Sequence, residues 1–147
     1  AKALVLWNPQ QRRIRSAFAT PKRGDAHWII KFDGVSAGGG GHAVTGDFQP
    51  GPFGRIEFSY SQMARAAGIA MPRTELLEER GFGHFLVERF DRRGPDRLHL
   101  HSLGGLMHAD FNQPGLVGYE DLFRTIYALG LGQPTVDEAY RRMVFNI

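Results

Sequence analysis

Apolar positions alternate in the first third of the chain and recur at helical spacing later. Residues 3–7 form a short apolar run closed by Asn8-Pro9, a turn signal. Arg12-Arg13-Ile14-Arg15-Ser16-Ala17-Phe18 reads as the returning strand, with arginines on its wet face. Pro21-Lys22-Arg23-Gly24-Asp25 is a second turn, and it leads into the aromatic and β-branched Ala26-His27-Trp28-Ile29-Ile30-Lys31-Phe32, expected as a central strand. Tight turns predict that these three strands form an antiparallel meander. Residues 33–53 hold Gly38-Gly39-Gly40-Gly41, Pro50 and Pro52 without apolar periodicity, which predicts a long flexible loop.

Beyond the loop, Ile56, Tyr60, Met63 and Ala67 mark one stripe of a helix that Gly68 would end. Residues 73–79 and 84–90 flank Arg80-Gly81-Phe82-Gly83, a hairpin signature. Residues 97–101 alternate and predict a further strand. Tyr119, Leu122, Phe123, Ile126 and Leu129 mark a second helix closed by Gly130. Thr135-Val136-Asp137-Glu138 has the form of a capping box opening a third, carried by Val136, Ala139, Tyr140, Met143, Val144 and Ile147. That pattern stops at Ile147 while still apolar, and the chain opens directly on an apolar strand. Both ends are therefore expected to be cuts through a longer protein. The apolar face left at the C-terminal cut is expected to promote dimerisation.

Composition narrows the function classes. The chain has 147 residues, 42% of them hydrophobic and 22% charged, the profile of a globular domain. It has no cysteine, which excludes disulfide scaffolds, thiolate zinc sites and cysteine nucleophiles. No apolar run reaches the roughly 20 residues needed to span a bilayer. A cytoplasmic location is expected. The net charge of +3 is uneven: up to Lys31 there are seven basic residues against Asp25 alone, so the leading segment carries +6 and the remainder −3. A basic segment suits an anionic partner, and a solvated arginine face is the plainer explanation.

Three groupings could carry chemistry. Lys31 lies late in an apolar strand, and Glu57 opens the helix that follows. A strand lysine paired to a helix glutamate is how protein kinases hold a lysine on ATP phosphates. Around Glu88 and Phe90 an apolar strand runs into charges, so backbone groups there could leave the sheet and meet a base. An ordinary strand end with solvated charges is the alternative. His99 and His101, with His108 and Asp110, could share a face toward a metal if they lay on a strand, but they match no recognised ligand set, and no metal site is expected. The glycine run is not a Walker loop, because no Gly-Lys-Ser/Thr follows it.

These segments, in this order, resemble the HipA family of serine/threonine kinase toxins from bacterial toxin–antitoxin systems. Lys2-Ala3-Leu4-Val5 is similar to the end of the family's phosphate loop, without its glycines. Trp28-Ile29-Ile30-Lys31-Phe32 resembles the strand bearing the ATP lysine, and residues 55–69 resemble the helix whose leading glutamate falls at Glu57. Phe85-Leu86-Val87-Glu88-Arg89-Phe90-Asp91-Arg92 resembles the hinge, where backbone at Glu88 and Phe90 would contact adenine. His108-Ala109-Asp110-Phe111-Asn112-Gln113-Pro114-Gly115 and Arg141-Arg142-Met143-Val144-Phe145-Asn146 resemble one branch of the family.

The resemblance implies an α+β fold: an antiparallel sheet with packed helices, kinase N-lobe-like over 1–91, with the start of a helical C-lobe over 92–147. It implies ATP held by Lys2, Lys31, Glu57, Glu88 and Phe90. It places the catalytic loop and the Mg2+ ligands beyond Ile147, so this chain alone is expected to be silent. It also implies a helix-turn-helix antitoxin partner, contact with DNA only through that antitoxin, a protein substrate and no membrane. The competing expectation is a non-catalytic interaction or DNA-associated module that uses the basic leading segment.

Overall fold

The computed structural model describes residues 1–34, 50–94, 96–110, 112–113 and 115–147. The glycine-run loop expected within 33–53 lies mostly outside them. The chain is α+β and divides into two units, one of residues Ala1–Met63 and Met71–Arg97, the other of Ala64–Ala70 and Leu98–Ile147.

The first unit is a curled five-stranded antiparallel sheet in the order β2-β1-β3-β5-β4. Its strands are β1 (Lys2–Asn8), β2 (Arg13–Ser16), β3 (Ala26–Lys31), β4 (Thr74–Glu79) and β5 (Phe82–Glu88). The first three are antiparallel, but they are not a meander: β1 lies between β2 and β3, pairing Trp7 with Ile14 on one side and with Ala26 on the other. The connection from β2 to β3 crosses β1 and is held there by side chains. Asn8, 2% exposed, accepts from the Gln11 N–H at 3.0 Å and donates to the Arg23 carbonyl at 3.3 Å. Gly24 (φ +86°) passes so close that a Cβ would lie 2.8 Å from Asn8. Asp25 clasps Arg15 and accepts from the Lys22 N–H. β3 is the middle strand, as its composition predicts.

Period-two alternation places Val5, Trp7, Trp28, Ile30 and Leu86 on one face, where they form the core with Ala3, Ala26 and Leu77 against them. Trp7 donates its Nε1–H to Glu75 at 2.9 Å. Each fully buried aliphatic or aromatic side chain here contributes about 1.5–3 kcal/mol. β4 and β5 turn through Arg80 (φ 49°) and Gly81 (φ 86°) alone, with Glu79 opposite Phe82. Two consecutive positive φ values match the right-handed strand twist, so the turn takes two residues rather than the four expected.

Helix α1 (Phe53–Ala66) corrects the predicted stripe. Ile56, Tyr60 and Met63 are 46%, 56% and 53% exposed, while the buried positions are Gly54, Ser61 and Ala64. The reason is steric. A Cβ on Gly54 would come within 1.8 Å of the Gly83 carbonyl, so the helix start lies on the backbone of β5. At that separation small residues fit and large ones must turn outward. Ser61 adds a hydroxyl contact with Thr74 at 2.8 Å. The helix ends as predicted at Gly68 (φ +75°), where Gly68 N–H reaches the Arg65 carbonyl at 2.9 Å and Ile69 N–H the Ala64 carbonyl at 3.0 Å.

After β5 a two-residue ladder joins β6 (Arg92–Arg93) to β7 (Asp96–Arg97). The strand predicted over 97–101 is reduced to this, and residues 98–102 are irregular. The second unit holds α2 (Leu103–Leu106), α3 (Tyr119–Ala128) and α4 (Gln133–Asn146). Asp121 accepts from Gly118 N–H at 3.0 Å at the start of α3. At its end Gly130 and Leu131 repeat the closure seen at Gly68. α4 begins two residues before the expected capping box, with Gly132 as N-cap and Pro134 in its first turn. Thr135 is therefore inside the helix, and its hydroxyl donates to the Leu131 carbonyl at 2.9 Å. Glu138 instead accepts from the Ala70 N–H at 3.0 Å, while Arg142 donates to the Ala70 carbonyl at 2.6 Å. Among the described residues no helix is long and apolar enough to cross a membrane.

Candidate functional site

Strand β3 delivers Lys31 to the end of the sheet where α1 begins. The structure brings Lys31 Nζ within 2.5 Å of Glu57 Oε2. The two side chains are 40% and 38% exposed, so the pair lies at a rim open to solvent. A surface pair of this kind contributes only about 0–1 kcal/mol to stability. Its effect is positional: it sets the direction of the lysine. The ring of Phe85, 5.7 Å below Nζ and 4% exposed, supports it from the sheet side.

Lys2 stands directly opposite Lys31 across the β1–β3 ladder. Opposed cations on neighbouring strands destabilise a sheet slightly unless an anion lies between them. Lys2, Lys31 and Glu57 thus gather at one end of the sheet.

Glu88 and Phe90 lie elsewhere. Glu88 is the last residue of β5 and faces Trp28, three residues before Lys31 on β3. Its N–H donates to the Arg73 carbonyl at 2.8 Å, and the Arg89 N–H donates to the His27 carbonyl at 2.8 Å. The amides of Glu88 and Arg89 are therefore taken by neighbouring strands. Phe90, 61% exposed, comes after the last of these bonds and is where the chain leaves the sheet. The Glu88 carboxylate faces Arg73 Nε at 3.6 Å, and the Arg73 guanidinium lies 5.5 Å from the centre of the Trp28 ring.

Sequence reasoning missed two anchors. Asp33, 5% exposed, sits two residues beyond Lys31. Its Oδ2 accepts from the N–H groups of Gly51 and Gly83, each at 3.1 Å, and its own N–H donates to His84 Nδ1 at 3.0 Å. Burial pushes the Asp33 carboxyl upward, but the amides of Gly83, Gly51 and Gly34 and the Arg55 charge outweigh it and hold it below its usual value. The only sequence signal was an Asp-Gly step after an apolar strand. The second anchor is Asp91, held by Arg89 through bonds of 2.9 and 2.6 Å, with Arg92 at 3.5 Å. The Arg89 hydrogen bond is the main reason its carboxyl lies below the usual range, with burial opposing. Both anchors fasten an end of a strand that carries a candidate residue.

His99 and His101 have lost the shared strand face on which a metal reading rested. Their rings meet edge to face at 6.3 Å.

Compared with known families, residues 1–147 match the model described as the HipA-like C-terminal domain. No curated protein and no solved structure matches the chain.

Proposed function

Because the chain belongs to the HipA-like C-terminal domain family, we propose that it is the ATP-holding part of a serine/threonine protein kinase of the toxin–antitoxin type. The observation that carries this reading is the Lys31–Glu57 pair at the end of a five-stranded antiparallel sheet. A kinase N-lobe uses the same arrangement: a strand lysine is aimed at the nucleotide phosphates by a helix carboxylate.

In this reading Lys31 and Lys2, opposed on β3 and β1, place two cations against the α- and β-phosphates. Glu57 orients Lys31, and the Phe85 ring keeps its ammonium from folding into the sheet. The base lies against the strand end at Glu88 and Phe90. Since the Glu88 amide is taken by Arg73, the Glu88 carbonyl and the Phe90 amide are the groups left to read it. The fit to a triphosphate rests on this spacing of cations and hinge along β3. ATP held by Lys2, Lys31, Glu57, Glu88 and Phe90 would supply the phosphoryl group, with Mg2+ as the charge-neutralising ion of that chemistry. None of the residues named above is the base that orients the substrate hydroxyl or a magnesium ligand. The family reading adds an antitoxin partner and a protein substrate.

The experiment is a titration of the chain with ATP and with its non-hydrolysable analogue, read by thermal shift or isothermal calorimetry. Binding that falls about tenfold or more in Lys31→Ala, an effect of about 1.4 kcal/mol, is the expected result. Binding unaffected by Lys31→Ala and by Glu57→Gln would sink the reading.

A further inference from the structure

At the opposite end of β3 from Lys31, the first unit holds a cavity of about 450 Å3. Its charged wall is His27, Arg89, Arg92 and Arg97, with Asp96 the acid among the lining residues. Its apolar wall is Leu4 on β1 together with Ala17, Phe18, Ala19 and Pro21 of the connection between β2 and β3. Phe18 is 95% exposed.

The arginines are arranged at a cost. Arg92 and Arg97 are direct partners in the two-residue β6–β7 ladder, and like charges placed directly opposite destabilise a strand pair. A single carboxylate, Asp91, already serves both Arg89 and Arg92. Among the described residues Arg97 takes part in no ion pair. The cavity therefore has more guanidinium than its own acids neutralise, next to an apolar wall.

We propose that this cavity binds a small organic phosphate, with Arg92 and Arg97 gripping the phosphate and Leu4 and Phe18 receiving an apolar or aromatic body. The guanidinium fork matches phosphate oxygens two at a time, and a dianion answers two opposed cations better than a carboxylate does. The volume falls within the range of about 300–1,000 Å3 usual for small-molecule sites. The site does not depend on the kinase reading. There the base lies at Glu88 and Phe90, on either side of the cavity residue Arg89, but the nucleotide phosphates lie at Lys31, four residues and roughly 13 Å along β3 from His27.

His27 gives the site a built-in reporter. Burial and then the charges of Arg92, Arg89 and Arg97 hold its pKa below the usual value, with only Asp91 opposing. A dianion between the arginines reverses that field, so binding raises the His27 pKa.

The test is NMR of the histidine rings in the 147-residue chain, titrated with phenyl phosphate and separately with inorganic phosphate. The His27 signal is assigned by its loss in His27→Gln. Phenyl phosphate is expected to shift that signal and raise its titration midpoint, and to bind several-fold tighter than inorganic phosphate. Arg97→Gln is expected to weaken binding about tenfold, with Arg97→Lys intermediate and Lys31→Ala unchanged. A His27 signal that does not respond to millimolar phenyl phosphate would overturn the proposal. So would binding that survives Arg97→Gln but is lost in Lys31→Ala, because the anion would then be at the other end of β3. Equal affinity for inorganic phosphate would overturn the assignment of the apolar wall. Failure of ATP binding would leave all of these outcomes standing.

Discussion

The two units bury their apolar residues very differently. In the sheet unit Leu6, Trp7, Trp28, Ile30 and Leu86 are all under 2% exposed. Among the described residues of the helical unit the buried hydrophobic ones are Ala64, Ile69, Ile126 and Ala139, while Tyr127, Leu129, Leu131, Tyr140 and Val144 are each at least half exposed. The sheet closes on its own core because alternation sends every second side chain to one shared face. The helices carry apolar residues around more of their circumference than they cover with one another. An open groove of about 830 Å3, lined by Phe123, Val136, Tyr140 and Val144 among others, remains within the helical unit. Stability should therefore rest mostly in the sheet, and this can be attacked one residue at a time.

The largest effect is expected from Trp28→Ala, at the centre of the core, which should lose about 3–5 kcal/mol in urea denaturation followed by tryptophan fluorescence and circular dichroism. An equal loss, over the same transition, from Ile126→Ala in α3 would break the comparison. Next comes Gly54→Ala. The added methyl has 1.8 Å to the Gly83 carbonyl, so α1 must lift from β5 at a cost of about 3 kcal/mol, the upper end for overpacking. The lift also separates Glu57 from Lys31, so any nucleotide binding should weaken together with stability.

A smaller effect follows from acid. Asp33 and Asp91 titrate below their unfolded values. Their contribution is full above the unfolded carboxylate pKa, near 4, and is lost as pH falls through the lower folded values. The sheet unit should therefore weaken below about pH 4. Asp91→Asn should cost about 2 kcal/mol at neutral pH by leaving Arg89 unpaired, and should flatten the acid slope of stability. Smallest is Tyr140→Ala, on the exposed face of α4, which should stay within about 0.5 kcal/mol of the parent chain. A larger loss would show that the groove is covered in solution and would sharpen the account of the helical unit.

How much of this was legible in the sequence depends on which force decided each element. β1, β3 and the β4–β5 hairpin were readable because alternation and turn chemistry act within a few residues. The place of β1 between its neighbours was not. It depends on Asn8 reaching Arg23 and on Arg15 reaching Asp25, contacts that no periodicity encodes. The face of α1 was misread because hydrophobicity was weighted over size, and the approach of Gly54 to Gly83 reverses that ranking. The start of α4 was misread because Thr135 and Glu138 imitate a cap, while Pro134 had already entered the first turn. In the candidate site the Lys31–Glu57 pair was foreseen. Asp33, His84, Asp91 and the opposed Arg92 and Arg97 were not, since each matters only through a partner supplied by the folded sheet.

The grip of α4 on residue 70 has a consequence for how this sequence can vary. Glu138 and Arg142, one helical turn apart, take the N–H and the C=O of the same residue, Ala70. They treat its peptide groups as a neighbouring strand would. The Ala70 side chain has no part in that recognition. Position 70 should therefore be close to silent in a mutational scan, accepting polar, charged and bulky residues alike, with proline, which has no N–H to offer, the single intolerant substitution. The two positions on α4 should instead vary together, because what they specify is written in main-chain atoms that no substitution at 70 short of proline can erase.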